Sequence, residues 1–181
     1  MTEDSDFILV KKFLTGDEKA FNIIVHKYQK KIYWHARRML GNHMDADEVT
    51  QDVLIVIYKR LNTFKFNSSL FTWIFRITST RCLNAIKKRN LKRIFSLDNE
   101  SHKNIRDSCD IVKSIEDKEK LDLLSLQLDK LPVKQREVFI LRRFDELSYD
   151  EISKITGKTI GALKANYHLA LKKILTNYNE K

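Results

Sequence analysis

Ser148, Glu151, Gly157 and Thr159 are spaced so as to start one short helix, end it and start another. A serine three residues ahead of a glutamate makes a capping box, in which hydroxyl and carboxylate each satisfy an orphan backbone group. Gly157 can take the left-handed conformation that ends a helix, and Thr159 can cap the next one. The turn between them is then about three or four residues long, as in a helix-turn-helix.

In the second helix Ile160, Leu163, Tyr167, Leu171 and Ile174 recur at three- and four-residue steps and form the face expected to pack inward. The opposite face carries Gly161, Ala162, Lys164, Ala165, Asn166, His168 and Lys172, with Lys158 and Thr159 just ahead of it. Small residues let a helix approach base edges, lysines meet phosphates, and an asparagine amide matches adenine. A hairpin with solvated lysines is the plain alternative. Against it, residues 152–179 hold Lys154, Lys158, Lys164, Lys172 and Lys173 and no carboxylate, in agreement with the capping box and glycine turn. Lys158, Thr159, Lys164, Ala165, Asn166, His168 and Lys172 are therefore expected at duplex DNA.

The charge is opposite near residue 50. A helix from about Asp45 to Leu61 is expected to bury Ala46, Val49, Val53, Val56 and Ile57, while Asp45, Glu48 and Asp52, with Gln51, line one exposed side. Acids in a first helical turn complement the macrodipole, which accounts for Asp45, Asp47 and Glu48 but not for Asp52, nearly two turns in. The alternative is a docking strip for a basic helical partner.

Beyond it, residues 62–93 mix Phe64, Phe66, Phe71, Trp73 and Phe75 with cations; between Ile74 and Phe95 there are seven Lys and Arg and no acid. Arg76, Thr80, Asn84 and Lys88 follow at four-residue steps, a polar stripe able to follow a phosphate backbone, with Lys87 beside it. The preceding loop, with Lys65, Asn67, Ser68 and Ser69, has the small polar groups and neighbouring aromatics that holding an unstacked base requires. Trp73 and Phe75, at helical spacing, are assigned to packing.

The elements that position these residues read as an all-α chain. It has 181 residues with four glycines and one proline, too few of both for sheets joined by tight turns. Breaks fall at Gly16, Gly41, residues 67–69, Pro132, residues 145–146 and Gly157. Two small helical domains, residues 1–95 and 115–181, are expected on either side of a flexible, polar linker, 96–114.

Several function classes are excluded by composition. The longest uncharged stretch, 66–75, is far short of the roughly 18 apolar residues needed to span a bilayer, so no membrane insertion is expected. The acidic start MTEDSDF resembles neither a signal nor a transit peptide, and a cytoplasmic location is expected. Cys82 and Cys109 form no Cys-x-x-Cys, and His26, His35, His43, His102 and His168 show no ligand spacing, so no metal is expected. Without a phosphate-binding glycine loop or nucleophile elbow, no enzyme, no catalytic residue, no cofactor and no small-molecule substrate are expected. A formal charge of +10 points weakly to polyanions.

Taken together, DADEVTQDVLIVIY, FTWIFRI with its basic continuation, and LPVKQREVFILRRFDELSYDEISKITGKTIGALKANYHLALKKI resemble a bacterial RNA polymerase sigma factor of the sigma-70 family, extracytoplasmic function group. The resemblance covers nearly the whole chain outside the linker. It implies a region 2 helical bundle and a region 4 helix-turn-helix, in a factor that binds core RNA polymerase, directs it to promoters and assists melting. By the same resemblance Asp47, Glu48, Gln51 and Asp52 contact the beta-prime clamp helices. The loop 65–69 and the helix after it capture a flipped base of the minus-ten element, and the helix after Thr159 reads the minus-thirty-five element. Residues 132–143 meet the beta flap, and an anti-sigma factor is implied as a partner. Thr80 and Asn84 stand where the family often has Asn and Asp, and Asn166 and Leu169 where arginines are common, so the promoter sequence does not transfer from a relative. A stand-alone helix-turn-helix regulator with a symmetric DNA site is the alternative.

Overall fold

The computed structural model describes residues 3–95 and 126–179. Seven helices make up most of it: α1 Glu3–Leu14, α2 Glu18–Leu40, α3 His43–Arg60, α4 Leu70–Phe95, α5 Val133–Arg143, α6 Tyr149–Thr156 and α7 Ile160–Asn179. A short 3-10 turn, Leu61–Thr63, follows α3, and residues 126–130 are also helical. No strand occurs among the described residues. The linker expected at 96–114 and the start of the second domain, up to residue 125, lie outside the described residues.

Helix boundaries follow local chemistry. Asp17 caps α2 by accepting from the Lys19 N–H at 3.0 Å, and Gly41, at φ 81°, ends it with its N–H on the Arg37 carbonyl at 3.0 Å. Asn42 then caps α3 through the Asp45 N–H at 2.8 Å, so α3 begins earlier than Asp45. Along α2, Ile24, Tyr28, Ile32, His35 and Met39 enter the core at steps of three and four. They meet Val49, Val53 and Ile57 of α3 and Ile74, Phe75, Cys82 and Ile86 of α4. Val56, expected inside, is only half-buried, because Val53 and Ile57 already fill the line facing α2.

The two helical halves pack against one another. Residues 136–141 of α5 are all buried, which one neighbouring face cannot achieve for a helix. α5 lies between α7 and α2, and α6 lies against α4, so one apolar cluster runs through both halves. Sequence periodicity separated two domains, and their surfaces interlock. Arg136 binds the C-terminus of α2: its Nη1 donates to the Met39 carbonyl at 2.9 Å and to Asp129 Oδ1 at 2.8 Å. Arg89 of α4 donates to the neighbouring Leu40 carbonyl at 2.9 Å. Two arginines thus satisfy carbonyls that end a helix with no intrahelical donor. Burial lowers the Arg136 pKa, against the attraction of Asp129.

Candidate nucleic-acid interface

The helix-turn-helix forms as its residues require. Ser148 N–H donates to Glu151 Oε2 at 2.8 Å, and Glu151 N–H donates to Ser148 Oγ at 3.2 Å, closing the capping box. Gly157 sits at φ 70° with its N–H on the Ser153 carbonyl at 2.8 Å. Thr159 Oγ1 accepts from the Ala162 N–H at 3.3 Å. Leu163 and Ala170 of α7 are buried, and Tyr167, Leu171 and Ile174 are half-buried on the same side. Ile160, expected inward, is the first residue of α7 and is 37% exposed.

The outer face of α7 exposes Lys164, Ala165, His168 and Lys172, with Thr159 exposed ahead of it. Lys164 Nζ lies 5.9 Å from the Tyr149 ring centre. Asn166 is half-buried and its Nδ2 donates to the Ala162 carbonyl at 2.8 Å, so reading a base with both amide groups requires a change of rotamer. Lys158 faces inward: its Nζ reaches Glu137 Oε2 at 2.5 Å.

On α4 the polar stripe is where the four-residue spacing places it. Arg76, Thr80, Asn84, Lys87 and Lys88 are all exposed. Lys65 and Asn67 project from the preceding loop, Ser68 is half-buried, and Ser69 is the helix cap, its Oγ accepting from the Thr72 N–H at 3.1 Å. Phe66 has φ 58°, left-handed backbone rarely adopted by a side-chain-bearing residue, and its ring packs edge-on to Phe7 at 5.3 Å and beside Phe64 at 4.9 Å. Trp73 stands 5.7 Å from Phe64. These rings brace the loop, so its exposed groups are the polar ones, and Trp73 and Phe75 serve packing as their spacing suggested.

The acidic strip of α3 exposes Glu48, Gln51 and Asp52, with Asp47 next to them and 3.2 Å from His43 Nε2. Asp45 is not part of it. Its carboxylate accepts from Asn42 Nδ2 at 2.8 Å and lies 3.3 Å from Arg89 Nη1, because the third residue of a capped helix turns back to the cap.

Sequence reasoning missed the polar contacts that join the two halves. Arg76 Nη2 donates to the Lys154 carbonyl of α6, and Ser79 Oγ donates to Glu137 Oε1. His35 Nδ1 lies 2.7 Å from Asp145 Oδ2, a pair buried at the junction. The available signal was Arg136 and Glu137, two charges in an apolar helix.

A polar stripe beside a braced loop in one half, and a helix-turn-helix in the other, define a two-part helical DNA-binding protein. Residues 24–92 match the family profile of Sigma-70 region 2, and residues 121–174 that of Sigma-70 region 4. The chain is 29% identical over 166 residues to the ECF RNA polymerase sigma factor SigW of Bacillus subtilis, covering 88% of this chain and 89% of that one. It is 29% identical to the ECF RNA polymerase sigma-E factor of Escherichia coli K12, covering 94% and 92%. Among solved structures, CnrH in complex with the cytosolic domain of CnrY superposes with a TM-score of 0.74 at 21% identity, covering 98% of this chain and 99% of that one. RpoE of Bartonella quintana in complex with the anti-sigma factor NepR gives 0.72 at 22% identity, covering 86% and 94%. The chain belongs to the sigma-70 family of RNA polymerase sigma factors, in its extracytoplasmic function group. It is a transcription initiation factor.

Proposed function

We propose that this sigma factor joins core RNA polymerase in the cytoplasm through α3 and reads promoters through α4 and α7. Asp47, Glu48, Gln51 and Asp52 dock on the basic beta-prime clamp helices, with the beta flap meeting residues 132–143. Lys65, Asn67, Ser68 and Ser69 receive an extruded minus-ten base while Arg76, Thr80, Asn84, Lys87 and Lys88 follow the strand's phosphates. Thr159, Lys164, Ala165, Asn166, His168 and Lys172 contact the minus-thirty-five duplex, whereas Lys158, expected there from the sequence, is held inward by Glu137. The observation that carries this reading is the coexistence of an exposed polar, cationic stripe on α4 and a fully capped helix-turn-helix in one chain.

Unpairing a few base pairs costs a few kcal/mol, and trapping an extruded base offsets part of that cost. Two weak DNA contacts tethered through polymerase raise each other's effective concentration, so neither alone binds tightly. An anti-sigma factor is a further partner, as in the solved complex of RpoE with NepR. Transcription by core polymerase on a pool of random promoter fragments, with and without this protein, tests the reading. New start sites that depend on the protein support it; an unchanged transcript pool, or tight symmetric-site binding by the protein alone, rejects it.

A further inference from the structure

Arg38, in the last turn of α2, meets an aromatic ring from each half of the molecule. Its guanidinium carbon is 4.5 Å from the Phe144 ring centre and 5.6 Å from that of Trp34. Rings stacked on a guanidinium cover its faces and leave its rim of N–H donors for an acceptor. Among the described residues none of those donors makes a hydrogen bond. Burial lowers the Arg38 pKa and the attraction of Asp145 opposes the shift, yet an arginine stays charged. A half-buried cation with its donors unspent is short of acceptors.

Arg38 lines a cleft of about 510 Å³, a size that suits a small organic ligand. Trp34 of α2 and Phe71 of α4 give it apolar walls, and the turn Phe144, Asp145 and Glu146 closes it from the second half. Lys30 and Lys31 stand about two helical turns back along α2, with Lys31 Nζ 5.6 Å from the Phe71 ring centre. Cations outnumber carboxylates around the cleft: Lys27, Lys30, Lys31 and Arg38 against Asp145 and Glu146. Asp6 holds Lys27 at 2.5 Å, and Asp145 Oδ2 lies 2.7 Å from His35 Nδ1. Among the described residues neither Lys30 nor Lys31 is in an ion pair. An aromatic anion answers both features at once.

We propose that this cleft binds a nucleoside monophosphate, its phosphate on the N–H rim of Arg38 within the field of Lys30 and Lys31, and its base against Trp34 and Phe71. A phosphate matches the guanidinium fork and supplies the acceptors that Arg38 lacks. Every base has a π-face, so the site tolerates any base. Asp145 and Glu146 on the opposite wall repel a second phosphate, which favours one nucleotide over a continuing strand. Because both halves supply walls, the bound nucleotide strengthens their packing. The site does not depend on how the chain reads promoters.

The test is calorimetric titration of the full-length protein with adenosine 5′-monophosphate at fixed salt, with the melting temperature read on the same samples. Saturable binding and a raised melting temperature are expected. Adenosine alone and inorganic phosphate alone each bind at least about tenfold more weakly, since each keeps one of the two sets of contacts. Arg38→Gln weakens nucleotide binding by about tenfold or more, and Lys31→Ala by about threefold. Glu146→Gln removes a carboxylate from the wall and tightens it, whereas Lys19→Ala at the far end of α2 leaves it unchanged. Lys31 and Glu146 are exposed, so their variants keep the test decisive even where Arg38→Gln fails to fold. No saturable binding at millimolar nucleotide overturns the proposal, as does binding that Lys31→Ala and Glu146→Gln both leave unchanged. An oligodeoxythymidylate that displaces the nucleotide and binds more tightly also overturns it, by giving the cleft to a strand. Transcription with core polymerase tests the promoter reading separately.

Discussion

Glu137 and Lys158 form a salt bridge across the second half of the molecule, with Oε2 and Nζ 2.5 Å apart and the carboxylate side chain 1% exposed. The other carboxylate oxygen accepts from Ser79 of α4. One buried side chain therefore links the helix-turn-helix turn to the helix expected to follow the minus-ten strand.

Glu137→Ala strands a largely buried ammonium and a buried hydroxyl together, and is expected to destabilise the fold by about 2–4 kcal/mol. Glu137→Gln keeps partners for both and costs less. Urea unfolding of the two variants against wild type gives the comparison, and equal midpoints for all three contradict it.

The helix-turn-helix depends on two local devices. Ser148→Ala removes the cap and is expected to cost about 1 kcal/mol. Gly157→Ala costs about 1 kcal/mol through its left-handed backbone alone, since no atom lies within 4 Å of an added Cβ. Thermal or urea melts check both, and Gly157→Asn, better tolerated at positive φ, loses less.

Stability falls in alkali. Burial first, then the hydrogen bond from its hydroxyl to Asp6 at 2.6 Å, raises the Tyr28 pKa above its ordinary 10.0, and burial raises that of Cys82 above 9.0. Both groups are acids held neutral by the fold, so their contribution is complete below the unfolded pKa values. It is lost as pH rises past 9 and then 10, where the unfolded chain ionises first. Tyr28→Phe is expected to flatten the upper part of that decline in a pH series of urea midpoints. Cys82, 0% exposed, resists iodoacetamide until the protein unfolds, which peptide mass mapping reads directly.

Glu48→Lys and Asp52→Lys reverse charge on the exposed face of α3. Affinity for core polymerase is expected to fall by about tenfold or more, with melting temperature nearly unchanged because neither carboxylate is in an ion pair among the described residues. Binding and melting measured on the same preparations distinguish lost docking from lost folding.

Lys164→Ala is expected to weaken holoenzyme binding across all promoter sequences and to reduce its salt slope by about one. Asn166→Ala is expected to relax preference at one base pair, by about 1–3 kcal/mol. Competition binding of promoter libraries at two salt concentrations separates the roles.

Local chemistry was legible residue by residue. The capping box of Ser148 and Glu151, the left-handed Gly157 and the exposed line of Arg76, Thr80, Asn84 and Lys88 all lie where spacing puts them. Asp45 was misplaced because Asn42 starts α3 early and Arg89 arrives from α4; Ile160, the first residue of α7, is more exposed than its spacing suggested.

Helix starts and stops are decided within a few residues, by capping groups and backbone freedom, so the order of residues along the chain suffices for them. Which charges are buried is decided by partners far away in sequence: Ser79 meets Glu137 across 58 positions, and His35 meets Asp145 across 110. No periodicity encodes such a pairing, because its energy depends on two surfaces excluding water together. The two helical halves, their DNA-facing helices and the turn between them are written in the sequence, and the closing of one half upon the other exists only in the tertiary structure.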